Sequence, residues 1–181
     1  MRLEGKVAIV TGAGQGIGRA CAMRFSQEGA TVIGLSRTSG EFNPQADRYK
    51  RVDCDLGDLH SLSNVCSHIS SVHPKIDGFV GNAGFGEFKG LENFSSDQIV
   101  SYLTANLLSH IIMTRLLLPQ MKKQRAGKII FIGSEAALQG SQQGSLYNVA
   151  KFGLRGFSQA IREECSKSGV HVSIINPGMV R

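Results

Sequence analysis

Short apolar runs alternate along this chain with longer stretches whose apolar residues recur at helical spacing, and few folds accommodate that pattern. Residues 7–10 read Val-Ala-Ile-Val and enter a tight turn at Thr11-Gly12. Residues 16–28 follow with Ile17, Ala20, Cys21, Ala22, Met23 and Phe25 spaced for a helix that Gly29 stops. Further strands are expected over 31–35, 48–52, 76–80, 128–132 and 170–175, and further helices over 59–72, 97–123 and 146–167. Pro119 is expected to disrupt or end the helix of 97–123, and the consecutive apolar residues of 128–132 imply burial on both faces. Such alternation puts helices on both faces of a mostly parallel sheet, an α/β doubly wound architecture. With 181 residues, 41% of them hydrophobic, and no stretch that reads as a linker, 1–181 is expected to form one domain.

Glycine punctuates this pattern unevenly. The 22 glycines are about 12% of the chain, against a usual ~7%, and they gather around TGAGQGIG and GNAGFG. In the first cluster, Gly12 can make the turn, Gly16 can admit a close backbone approach, and Gly18 can pack near a strand. Free amides at the helix start, and its positive end, favour a pyrophosphate there. The spacing is not GxGxxG, so the glycines alone leave a ligand-free turn open. Ser36-Arg37 follows the second strand, where an adenosine ribose lies in a doubly wound fold. No acidic residue stands there to take both ribose hydroxyls, whereas the planar fork of Arg37 suits a 2′-phosphate. A surface arginine unrelated to any ligand is the alternative.

Tyr147 and Lys151 are four residues apart, on one face of the expected helix. A phenol ordinarily titrates near ~10, too high for an efficient base at neutral pH, and a neighbouring ammonium favours phenolate. Taken alone, such a pair is more often structural than catalytic. Ser134 follows the strand of 128–132 and could donate to a reacting oxygen, or merely cap a turn. No His-Asp arrangement accompanies it, and Gly-Ser-Glu lacks the GxSxG elbow, so acyl hydrolysis is disfavoured. Asn106 sits inside an expected helix, where it could simply satisfy a backbone group.

Net charge is +6, with 20 Lys plus Arg against 14 Asp plus Glu, and the longest basic cluster is Lys122-Lys123-Gln124-Arg125. It reads as a solvated helix end, and without a zinc-finger or RNP-like pattern nucleic acid is not an expected partner. Cys21, Cys54, Cys66 and Cys165 form no CxxC pair and are expected as reduced thiols in a cytoplasmic protein. His60, His68, His73, His110 and His171 are scattered, with helix surface or local hydrogen bonding as their expected roles, and no metal cluster appears. The first strand leaves no room for a secretory signal, and no apolar run approaches the ~18–20 residues of a membrane helix.

The ordered set of motifs resembles the classical branch of the short-chain dehydrogenase/reductase family, over essentially the whole chain. TGxxxGxG is Thr11 to Gly18, NAG is Asn82-Ala83-Gly84, and PG is Pro177-Gly178. Asn106, Ser134 and Tyr147-Asn148-Val149-Ala150-Lys151 follow the active-site pattern. The resemblance implies a Rossmann-type fold and hydride transfer to or from a small carbonyl or alcohol, with NADP(H) as cofactor and NAD(H) possible. It implies Gly12, Gln15, Gly16, Ile17 and Gly18 at the pyrophosphate, Arg37 at a 2′-phosphate, and Asp55 and Leu56 at the adenine. Asn82, Ala83, Gly84, Pro177 and Gly178 would border the cofactor. Gln15 departs from the basic residue often found at its position, which weakens the case for phosphate preference. Tyr147 would be the acid in reduction and the base in oxidation, Ser134 would orient and polarise substrate, Lys151 would hold the nicotinamide ribose, and Asn106 would position water for a proton relay. Members of the family commonly form dimers or tetramers through the helices of the catalytic region.

The family continues beyond PG into substrate-covering helices and another strand. The sequence here stops at Arg181, so the sheet is expected to end at its sixth strand and the isolated chain to turn over weakly. The rival reading is a nucleotide-binding regulatory or interaction protein of the same fold.

Overall fold

A computed structural model describes residues 1–37 and 48–179. The elements are β1 (Val7–Thr11), α1 (Gly16–Gln27), β2 (Thr31–Ser36), β3 (Tyr49–Asp53), α2 (Leu59–Val72), β4 (Gly78–Gly81), α3 (Ser96–Leu103), α4 (Ser109–Gln124), β5 (Gly127–Ile132), α5 (Ser145–Glu164) and β6 (Val170–Ile175). The strands form one six-stranded sheet, parallel throughout, in the order β3-β2-β1-β4-β5-β6. This is the doubly wound Rossmann order, and the reversal lies between β1 and β4.

The pleat sorts neighbouring side chains to opposite faces, and two cores result. Ile9, Ile33, Phe79, Ile129 and Phe131 pack on one side with Leu62, Cys66 and Ile69 of α2, Met113, Leu117 and Met121 of α4, and Leu154 and Ile161 of α5. Val10, Val32, Val80 and Ile132 pack on the other with Ala22, Ile17 and Phe25 of α1. Burial of β5 on both faces holds for Ile129, Phe131 and Ile132, whereas Lys128 is exposed and Ile130 only half-buried. β3 lies at the sheet edge and buries little, in keeping with its polar sequence.

The stretch expected as one helix over 97–123 departs from expectation in two places. Its irregularity is a π-turn at Thr104–Leu108 between α3 and α4, with the backbone helical at Leu103, Thr104, Leu108 and Ser109. Pro119 neither ends nor interrupts α4, which runs on to Gln124. Pro119 and Arg115, the residue four places earlier, both face solvent. Water can therefore serve the carbonyl that the proline leaves without its N–H, while Met113, Leu117 and Met121 hold the helix to the core.

The turn after β4 is gripped from both sides of the sheet reversal. The fully buried Thr11 hydroxyl accepts the N–H groups of Asn82 at 2.9 Å and Ala83 at 3.1 Å and donates to Val80 O at 3.3 Å. From α4, His110 Nε2–H donates to Ala83 O at 2.8 Å. His110 thus has a long-range partner and no solvent exposure, against the expected surface or local role. Burial, and next the charge of Lys151, push its pKa down to about 4, partly opposed by the bond to Ala83. Its neutral state in the fold fixes the tautomer, because a carbonyl can only accept.

Two stability tests follow from this grip. Thr11→Val keeps the shape but strands two buried N–H groups, and should cost about 2–4 kcal/mol in urea unfolding, with Thr11→Ser retaining most of the stability. For His110 the folded pKa lies below the usual 6.5, so its neutral burial favours the fold above that value and the benefit is lost as pH falls toward about 4. His110→Gln keeps a donor without the titration. Its melting temperature should fall less than wild type between pH 6.5 and 4; parallel acid slopes would contradict the assignment.

Candidate active site

At the sheet reversal the loops after β1 and β4 diverge, and a cleft of about 430 Å³ opens at the C-terminal ends of the strands. Its floor is the turn into α1, where Gly12 and Gly16 have φ of 66° and 54°, values that favour glycine. A Cβ on Gly18 would come within 2.3 Å of Gly12 O and 2.4 Å of Asn82 Nδ2, so Gly18 packs against the residues that directly follow β1 and β4. A Cβ on Gly16 meets nothing within 4 Å, and that open side is the N-terminus of α1. Asn82 closes the other flank, donating from Nδ2 to Thr11 O at 2.9 Å.

Ser36 and the exposed Arg37 leave β2 at one end of the cleft. Asp55 and the buried Leu56 line the same end, where Asp55 Oδ1 accepts Gly57 N–H at 2.9 Å and shapes the turn into α2. Pro177 and Gly178, after β6, complete the rim.

At the other end the helix period puts Tyr147 and Lys151 of α5 in the same cleft as Ser134. Lys151 is buried, with Nζ donating to Ile132 O at 3.0 Å and lying 5.7 Å from the Tyr147 ring centroid. Burial alone pushes its pKa down to about 8. An ammonium has three protons, and the Ile132 bond uses one, so two remain for other acceptors. Ser134 is extended and its Oγ accepts Ala136 N–H at 3.2 Å, which leaves the hydroxyl proton free to donate. The Phe88 ring sits 5.4 Å from that of Tyr147.

Of the residues singled out from sequence, Gly12, Gln15, Gly16, Ile17, Arg37, Asp55, Leu56, Asn82, Ala83, Gly84, Ser134, Tyr147, Lys151, Pro177 and Gly178 all line this cleft. Gly18 and Asn106 do not. Asn106 lies fully buried in the π-turn, with Oδ1 accepting Phe85 N–H at 2.9 Å and Nδ2 donating to Tyr102 O at 3.0 Å. Its side chain is thereby committed to backbone on two sides, α3 through Nδ2 and the NAG turn through Oδ1, and a Cβ on Gly84 would stand 2.6 Å from that Oδ1. The lining residues without a sequence signal include Cys54, Phe85, Ala105 and Ile132. Among the described residues no group of three or more His, Cys, Asp or Glu could hold a metal, and no helix is long and apolar enough to cross a membrane.

Comparison with known proteins agrees with this geometry. The model of the short chain dehydrogenase family matches residues 6–181. The 3-oxoacyl-[acyl-carrier-protein] reductase of Vibrio harveyi is 33% identical, over 99% of this chain and 75% of that protein. The sepiapterin reductase of Chlorobaculum tepidum is 29% identical, over 96% of this chain and 77% of that protein. A metagenomic short-chain oxidoreductase, solved in complex with NADP, superposes with a TM-score of 0.93 at 29% identity, over 99% of this chain and 85% of that one. Agreement of the family model, the relatives and the sheet order leaves one assignment: the chain belongs to the short-chain dehydrogenase family.

Proposed function

We propose that this protein is an NADP(H)-dependent carbonyl reductase and alcohol dehydrogenase for a small molecule, with Tyr147 as the acid and base. The observation that carries the reading is the buried Lys151 ammonium beside Tyr147, in the cleft floored by the glycine turn. A buried charge is costly, and a surface helix pair would not bear that cost.

The cleft suits a dinucleotide. Gly16 leaves room above the amides of the α1 N-terminus for a pyrophosphate, and Arg37 stands where a 2′-phosphate would need a planar cation. Asp55 and Leu56 would face the adenine, and Asn82, Ala83, Gly84, Pro177 and Gly178 would border the remainder. NAD(H) is the weaker expectation, since no acidic residue ends β2. The nicotinamide, when bound, supplies or takes up the hydride.

The chain's own residues manage the proton. Tyr147 gives its hydroxyl proton to the carbonyl oxygen in reduction and takes it back in oxidation. Ser134 keeps its proton and donates a hydrogen bond to the same oxygen, stabilising the charge that develops there. Lys151 lies beside the Tyr147 ring and has donors left for ribose hydroxyls. Asn106 positions water near Lys151 for a proton relay, its own side chain fixed by Phe85 N–H and Tyr102 O. Leu108, Val149 and Phe152, all exposed near or on α5, favour a homodimer or homotetramer, and the four free cysteines fit a reducing cytoplasm.

Tyr147→Phe retains the ring against Phe88 and removes only the hydroxyl. Nucleotide affinity should stay within about twofold while NADPH-dependent reduction of a ketone and aldehyde panel falls on the order of 10²–10⁴-fold. Turnover equal to wild type would contradict the role given to Tyr147, and wild-type nucleotide binding without any turnover would favour the regulatory reading.

A further inference from the structure

The residue after Tyr147 is saturated with long-range bonds that the proton relay does not use. Asn148 is 8% exposed. Its Oδ1 accepts Ser141 N–H at 3.0 Å and the Ser141 hydroxyl at 2.9 Å, and its Nδ2 donates to Ala136 O at 2.8 Å and Gln139 O at 2.9 Å. Three of those four partners are backbone groups, so the amide has one possible orientation: reversing it would set N–H against N–H and oxygen against two carbonyls. The neighbouring geometry is shaped around this arrangement. A Cβ on Gly144 would lie 2.1 Å from Ser141 Oγ and 2.9 Å from Asn148 Oδ1, although the Gly144 φ of −104° is open to any residue. Seven residues on, along the same side of α5, Arg155 Nη1 donates to Ala137 O at 3.2 Å.

We propose that Asn148 is a positioning residue that ties the segment 136–141 to α5 and so fixes Ser134 relative to Tyr147. Ser134 lies two residues before that segment, its Oγ taking Ala136 N–H while Asn148 holds Ala136 O. From the opposite side Asn176 Oδ1 accepts Ser134 N–H at 3.3 Å and Pro177 O accepts Glu135 N–H at 3.2 Å. Ser134 is therefore set between the end of β6 and α5. Without the amide, the Arg155 bond to Ala137 O and the Lys151 bond to Ile132 O, two residues before Ser134, remain to index it to the helix that carries Tyr147. Preset geometry of this kind matters because the donor must meet the reacting oxygen within a fraction of an ångström.

The proposal rests on the reductase reading for its kinetic consequence, and two readouts separate them. Asn148→Ala removes all four bonds, and Asn148→Asp keeps the acceptor but turns a carboxylate on two carbonyls. Both should lower kcat/KM for the carbonyl at least tenfold, mainly through kcat, with NADPH affinity within about twofold of wild type. Gly144→Ala should give the same pattern from outside the amide, and Ser141→Ala, which loses one bond, an intermediate one. Hydrogen exchange needs no substrate: the Ser141 amide, and the amides of 136–139, should exchange at least tenfold faster in Asn148→Ala while those of the α5 interior do not change. Unchanged exchange would overturn the tie even in a protein that reduces nothing. In an active protein, unchanged kcat/KM would overturn the positioning role, as would losses of kcat/KM and NADPH affinity in equal measure.

Discussion

The Thr11 hydroxyl is the point on which the two ends of the site converge. It joins the last residue of β1 to the turn after β4, the one place in the sheet where neighbouring strands send their chains to opposite faces. Divergence opens the cleft, but divergence alone would leave the Asn82-Ala83-Gly84 turn without partners for its N–H groups. A side-chain oxygen supplies them from β1, and Asn82 returns the bond to Thr11 O. The glycine turn and the NAG turn are thus set as one unit: a Cβ on Gly12 would meet Asn82 Nδ2 at 2.8 Å and Ala83 Cα at 3.0 Å, while Gly84 is crowded from the other side by Asn106.

A second constraint is the placing of charge at low dielectric. Lys151 is buried with a pKa pushed down to about 8, and the fully buried His110 nearby is held neutral with its pKa near 4. The Lys151 charge helps keep His110 neutral, whereas burial alone lowers Lys151, so the fold gives up stability to keep one cation in the cleft beside a phenol. Ile132 O takes one of the ammonium protons at the end of β5, which ties the position of Lys151 to the sheet rather than to α5 alone. Ser134 is two residues past that carbonyl, so strand, serine and lysine share one frame.

Most of the fold was legible in the sequence because strand runs and glycine turns are local signals. The six strands fall within a residue or two of expectation, and the expected site residues line the cleft except Gly18 and Asn106. What was not legible depends on partners far along the chain. Nothing near Asn106 announces that its amide is claimed by Phe85, twenty-one residues away, or that a π-turn would carry it. Pro119 reads as a helix breaker until its outward position is known. His110 looks like any surface histidine until Ala83 arrives from twenty-seven residues away. Asn148 lies inside a recognised motif, yet its bonds go to a loop that has no pattern of its own.

Central to this reading is the cleft at the sheet reversal, proposed to hold NADP(H) with the reacting end between Ser134, Tyr147 and Lys151. A structure of the protein with NADP(H) bound tests this most directly. The account predicts the pyrophosphate over Gly16, the 2′-phosphate within hydrogen-bond distance of Arg37, and the nicotinamide ribose on Lys151. A nucleotide bound elsewhere, or one whose nicotinamide end lies away from Tyr147, would contradict it.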